Sequence, residues 1–287
     1  MKLLFYFLLP VFIISCGRKA NDQGSGIITV SIPPFKYFVE EIAGDNFKVN
    51  VMVPPGANPH IYEPSPDQIN KLSRSVAYIS NGYLGFESTW LDRFSEINRN
   101  MKRLSLAEVI EPIFSEHHHE GDHGEGADPH YWVSPACALK MAVSVRDLVI
   151  DLDPENRQQY EANFNSLSEK IAVVDMKAKE LSLSGRKKAF MIYHPNLAYL
   201  ARDYGLEEIS VEYEGKEPSP LQLKELIDRA RKESLKVILV QREYDTKNAK
   251  VIANETSSEI VIIDPLSENW LASTTEIINI LKKSFEK

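Results

Sequence analysis

Positive charge is in deficit in this chain: 33 Lys plus Arg stand against 41 Asp plus Glu, a formal charge of -8. That balance argues against a nucleic-acid or anionic-membrane surface and suits a cationic ligand. Cysteine is nearly absent, and the two that occur, Cys16 and Cys137, stand in such different contexts that a disulfide framework is excluded. Glycine and proline are sparse, with 13 and 16 residues, which rules out a collagenous or low-complexity chain. What is present is 43% hydrophobic and 26% charged residues over 287 positions. That is enough for one large or two ordinary domains around a buried core, so disorder is excluded for most of the chain.

The first residues are a processing signal rather than fold. Lys2 precedes an apolar run, Leu3 to Ile14, which Pro10 interrupts and Ser15 closes. It is too short to span a bilayer and long enough for a signal-peptide core. Ile13-Ile14-Ser15-Cys16 resembles the bacterial lipobox, which makes residues 1–15 a lipoprotein signal peptide and Cys16 the lipidated new N-terminus. Residues 16–26, polar and glycine-containing, suit a flexible tether between a lipid anchor and a folded body. Cys137 is then a buried structural thiol.

Beyond the tether, strand-like and helix-like stretches alternate, the pattern of an α/β protein. Ile27–Ile32, Phe47–Val53 and Ser75–Ser80 form a first series of strands, with helical segments at Phe35–Ile42 and Pro66–Leu72. Lys188–Tyr193, Glu208–Val211, Val237–Gln241 and Ile260–Ile263 form a second, with helices at Leu197–Tyr204, Leu221–Lys232 and Asn248–Thr256. Between them Tyr160, Phe164, Leu167, Ile171, Val174, Ala178 and Leu181 recur at spacings of four and three, one apolar stripe on a long helix. Asp153 is a candidate N-cap, Pro154 lies in the first turn, and Gly185 is a plausible stop. The expected architecture is two α/β lobes with mostly parallel sheets joined by one long rigid helix. Its expected divisions are an N-terminal lobe at 27–153, the linker helix at 154–184 and a C-terminal lobe at 185–287.

Seven histidines carry the chemistry. His117, His118, His119 and His123 fall in Phe114–Asp128, an acidic, glycine-containing segment without apolar periodicity, so it belongs to a loop and not the core. Tracts of this composition are metal-binding in type, so the segment is expected to gather or sense metal as an auxiliary loop, with a merely solvated loop as the alternative. His60, His130 and His194 each sit beside a proline in a turn-like context. His194 follows a strand ending at Tyr193, and His60 lies in the loop after the strand ending near Val53. Asp264 directly ends the strand Ile260–Ile263. In open α/β sheets ligands gather outside the carboxyl ends of strands, where these residues stand. Three imidazoles and one carboxylate make a tetrahedral set for Zn²⁺ and, less selectively, for Mn²⁺. A catalytic zinc keeps an open position and a general base. His60 and Glu63 form H-x-x-E, but Pro64 stands where a metalloprotease needs a second histidine, and H-E-x-x-H is missing, so an enzyme is not expected.

Combined and in order, these segments resemble the zinc-specific substrate-binding lipoproteins of bacterial ABC metal importers, within the helical-backbone metal receptor fold. The resemblance rests on Val53-Pro54-Pro55-Gly56-Ala57-Asn58-Pro59-His60 with Glu63-Pro64-Ser65-Pro66, then Asp128-Pro129-His130-Tyr131-Trp132, His194-Pro195, Gly215-Lys216-Glu217-Pro218-Ser219-Pro220 and Asp264-Pro265-Leu266. It implies a single metal held between two lobes on the outer face of a membrane, and delivery of that metal to an ABC importer permease. His60, His130 and His194 are similar to the family's histidine ligands and Asp264 to its C-terminal carboxylate. Two departures stand out. Pro59 occupies a place where some zinc members carry glutamate, which favours Asp264 or a water as fourth ligand. Gln241-Arg242-Glu243-Tyr244 replaces a Glu-Pro-Gln-Phe-like turn. Manganese members tend to carry glutamate at the third ligand position, so His194 and the histidine-rich loop point to zinc. A manganese receptor, a surface zinc-binding adhesin and a zinc buffer are the alternative readings. A stiff connecting helix also predicts release through small shifts or a loop movement near His130 rather than wide hinge closure.

Overall fold

Strands β1 (Ile27–Val30), β2 (Lys48–Val51), β3 (Ser75–Ser80) and β4 (Lys102–Ser105) form one sheet in the order β2-β1-β3-β4, all neighbours parallel. Strands β5 (Lys188–Ile192), β6 (Leu206–Ser210), β7 (Val237–Gln241) and β8 (Glu259–Ile263) form a second, in the order β6-β5-β7-β8, also parallel throughout. The computed structural model describes residues 26–114, 126–182, 188–213 and 215–286. The expected signal peptide and Cys16, nearly all of the tether, the histidines 117, 118, 119 and 123, and Gly185 lie outside the described residues. In each sheet the chain winds to one side of its first strand and then crosses to the other. A crevice therefore opens beyond the carboxyl ends of β1 and β3, and another beyond β5 and β7.

Helices cover the sheets: α1 (Pro33–Ala43), α2 (Pro66–Leu72), α3 (Gly85–Ile97), α4 (Pro135–Leu152), α5 (Arg157–Lys179), α6 (Ala198–Asp203), α7 (Pro220–Lys232), α8 (Lys247–Thr256) and α9 (Trp270–Glu286). Several begin where the local sequence dictates. Prolines open α1, α2, α4 and α7, at positions whose amides have no intrahelical acceptor. Ser65 with Gln68, and Ser219 with Gln222, close reciprocal capping boxes at α2 and α7.

The long helix is α5, of 23 residues, or about 35 Å. It is shorter than its stripe suggests because 3-10 turns, Pro154–Asn156 and Glu180–Ser182, take up its ends. Asp153 does not cap α5. Its carboxylate instead accepts from the Tyr160 hydroxyl at 2.6 Å and Asn156 Nδ2 at 2.8 Å, bracing the turn from outside. Tyr160, Leu167, Ile171, Val174 and Ala178 are buried along the stripe, with Leu181 in the following turn, while Phe164 is only partly covered.

The helix is not a bare strut. It packs against α4, α1 and α9, and one continuous core runs from Ile28 and Ile79 through Val145, Leu167 and Ile171 to Ile192, Trp270 and Leu281. A second cluster, with Met191, Val240 and Ile252, belongs to the second lobe alone. The halves are also cross-bonded: Trp132 Nε1 donates to the Pro265 carbonyl at 2.9 Å, and Trp270 Nε1 to the Trp132 carbonyl at 2.6 Å. Prising the lobes apart would expose shared apolar surface and break buried hydrogen bonds, so the energetic cost opposes wide opening. Among the described residues no helix is long and apolar enough to cross a membrane.

Candidate metal centre

His60, His130 and His194, far apart in sequence, meet at the strand ends. One ligand atom from each lies within 4.8 Å of the others, and the three ring centroids form a triangle with sides of 5.2 Å.

Each imidazole is delivered by a different device. His60 sits in the long loop after β2, which Gln68 pins by donating from Nε2 to the Met52 carbonyl at 2.6 Å and accepting from the Tyr62 hydroxyl at 2.8 Å. Asn58 Oδ1 accepts from the His60 backbone N–H at 2.9 Å. Gly85 completes this cradle, since a Cβ there would stand 2.9 Å from the His60 carbonyl oxygen. His130 hangs from the end of β3: Asn81 Nδ2 donates to the Pro129 carbonyl at 2.9 Å, and the Tyr131 hydroxyl to the Asn81 carbonyl at 2.6 Å. His194 leaves β5 at the second crevice, where Gln241, the last residue of β7, accepts from its backbone N–H and donates to its carbonyl.

Two carboxylates behind the rings decide which nitrogen faces inward. Asp128 Oδ1 lies 2.8 Å from His130 Nδ1, and Glu212 Oε2 lies 2.7 Å from His194 Nδ1. Each neutral ring then keeps its proton on Nδ1 and presents a bare Nε2 lone pair to the centre, the tautomer a metal requires. His194 Nε2 is buried without a hydrogen-bond partner, a costly state for a polar atom that a ligand would relieve. Tyr244 stacks on the same ring, with centroids 4.7 Å apart and planes 13° apart, limiting its rotation.

The electrostatics favour neutral imidazoles. Burial, with the neighbouring His130 and His194, lowers the His60 pKa to about 3. Burial likewise lowers that of His194, against the pull of Glu212. Asp128 is held below its usual range: burial pushes it up, but the charge and hydrogen bonds of His130 outweigh that. Three imidazole nitrogen donors with two carboxylates behind them could hold a divalent cation and balance its charge. The chamber they line has a volume of about 20 Å³, room for roughly one water molecule.

Asp264, expected as the fourth donor, is outside this set. Its Oδ2 faces Arg242 Nε at 3.9 Å, and it is Pro265 and Leu266 that reach the chamber wall. Sequence reasoning missed Asp128, Glu212, Gln241, Glu243 and Tyr244. Three of these lie in the one turn that departs from the resembled pattern, and that departure was the available signal.

Residues 28–284 match the family model described as zinc-uptake complex component A, periplasmic. The chain belongs to this family. The crystal structure of ZnuA superposes with a TM-score of 0.82 at 36% identity, covering 90% of this chain and 98% of that one. A zinc-bound deletion mutant of ZnuA superposes with a TM-score of 0.81, also at 36% identity, over 90% and 97% of the two chains. The zinc-binding lipoprotein AdcA of Streptococcus pneumoniae is 24% identical over all of this chain and 61% of its own length. This chain thus spans less than two thirds of the AdcA relatives it matches. The manganese ABC transporter substrate-binding lipoprotein PsaA of Streptococcus anginosus is 27% identical over 93% of this chain and 90% of its own. The family's fold, two parallel-sheet lobes spanned by a long helix, is the one described above.

Proposed function

We propose that this protein is a zinc receptor of an ABC importer, which captures one Zn²⁺ with His60, His130 and His194 and passes it to a membrane permease. The observation that carries the reading is the convergence of three imidazoles from both lobes, two of them backed by carboxylates, around a chamber of water size. Imidazole donors in a compact, near-tetrahedral set suit zinc, whereas manganese prefers more oxygen ligands at higher coordination. The family membership and the zinc-bound ZnuA relative support the same choice.

The receptor acts by binding and not by catalysis, in keeping with its membership of the zinc-uptake component family. It works outside the cytoplasm, held to a membrane by lipid on Cys16, with residues 115–125 gathering metal ahead of the main site. The lobes at 27–153 and 185–287 stay in fixed relation across the 154–184 helix, since their core is shared. Release therefore proceeds through the loops bearing His60 and His130, which meet β-strands only at their ends.

Metal analysis and competition titration test this. The purified protein takes up one tight equivalent of zinc, zinc displaces manganese, and His130→Ala loses that equivalent. Preferential retention of manganese would refute the zinc assignment and favour the reading suggested by the PsaA relative.

A further inference from the structure

We infer that Glu243, and not Asp264, supplies the fourth protein ligand, its carboxylate turning onto the zinc held by the three histidines. The inference rests on the receptor reading above and adds the donor that reading leaves open.

Three imidazoles fill three corners of a tetrahedron, so one position remains for an oxygen from the chamber wall. The polar side chains there can be sorted by what already occupies them. Asn58 Oδ1 is taken by the His60 backbone N–H. Gln241 is used on both sides of its amide by the His194 backbone. Tyr244 lies flat on the His194 ring. Two oxygen donors are left on the wall, Asn196 Oδ1 and the Glu243 carboxylate, which accepts only from its own backbone N–H. Asn196 is 5% exposed and its Oδ1 has no hydrogen-bond partner. Between an amide oxygen and a carboxylate, the carboxylate is the stronger ligand for a dication.

Asp264 is turned elsewhere. Its carboxylate looks toward the exposed Arg242, and its carbonyl accepts from the Ser273 hydroxyl at 2.5 Å. Glu243 sits on the turn leaving β7 at the crevice of the second sheet, where Gln241 has already fixed the backbone of His194. Its side chain is partly buried and lines the chamber beside His194 and Tyr244. In this conformation it lies outside the set formed by the three ring nitrogens. A change of side-chain rotamer on a surface turn is a fast and inexpensive motion. Loading would thus end with Glu243 closing over the ion, and unloading would begin with its departure.

The test compares Glu243→Gln, Asp264→Asn and Asn196→Ala with the full-length protein, each checked for a native circular dichroism spectrum. Zinc affinity is measured by chelator competition, and the ligand set by X-ray absorption and by the visible spectrum of the Co²⁺ form. Glu243→Gln should weaken zinc at least tenfold and change the Co²⁺ bands, while Asp264→Asn and Asn196→Ala stay within about threefold of the native protein. Glu243→Ala serves as a second variant with the same expectation. Loss of affinity in Asp264→Asn or Asn196→Ala with Glu243→Gln unaffected overturns the assignment. So does native behaviour in all of them, which would make water the fourth ligand. His60→Ala separates this from the receptor reading: if it binds zinc as tightly as the native protein, the three-histidine site itself is wrong.

Discussion

Removing Glu212 isolates the contribution of the carboxylate behind a ligand from that of the ligand itself. Its side chain is 9% exposed and its Oε2 stands 2.7 Å from His194 Nδ1. Glu212→Gln keeps an oxygen that can accept the Nδ1 proton but removes the charge. Glu212→Ala removes the acceptor and leaves the tautomer of His194 undecided. Partners of this kind contribute about 10- to 100-fold to metal affinity, or roughly 1.4 to 2.7 kcal/mol. Glu212→Gln should fall near the lower figure and Glu212→Ala near the upper. Because zinc binds the folded state, the same free energy disappears from the metal-induced stabilisation. At about 2–4 °C per kcal/mol for a chain of this size, the rise in melting temperature on adding saturating zinc shrinks by roughly 3–10 °C. Calorimetric scans with and without zinc, alongside chelator competition, read both quantities. If Glu212→Ala binds zinc within twofold of the native protein, the argument from tautomer and charge is wrong.

Glu208 offers a stability test beside the centre: burial, and then Asp128, raise its pKa from 4.5 to about 8. Below pH 4.5 the folded and unfolded states both carry the proton; as pH climbs toward 8 only the unfolded state releases it, so stability is lost across that window. Glu208→Gln, which can still accept from the Leu197 N–H, should flatten that decline, gaining up to about 3 kcal/mol at pH 7, as urea unfolding at several pH values will show. Gly85→Ala should push on the His60 carbonyl, destabilising by about 1–3 kcal/mol and weakening zinc, with both effects seen in thermal and binding titrations. Trp132→Phe removes the donor to the Pro265 carbonyl while keeping an aromatic ring, and unfolding in denaturant should show a loss of about 1–3 kcal/mol; an unchanged midpoint would mean that this cross-lobe bond is dispensable.

The sequence by itself determined the parts. Strand and helix segments follow from alternating apolar runs, and the seven-position stripe from Tyr160 to Leu181 follows from helical periodicity, because burial is written locally in residue order. The three converging histidines were visible as well, since each follows an apolar strand or a proline turn. Several elements were not read from the sequence: β4 is only four residues of mixed exposure, and α4 and α9 were passed over although their buried residues recur at helical spacing. Which atoms meet was decided only by the tertiary structure. Asp128 and Glu212 look like ordinary surface acids until folding sets them behind His130 and His194, and only the fold shows Asp264 facing Arg242. Residue order fixes the period of a helix or strand within a few positions, whereas the meeting of side chains from separate loops and strands depends on how two sheets pack across a shared core.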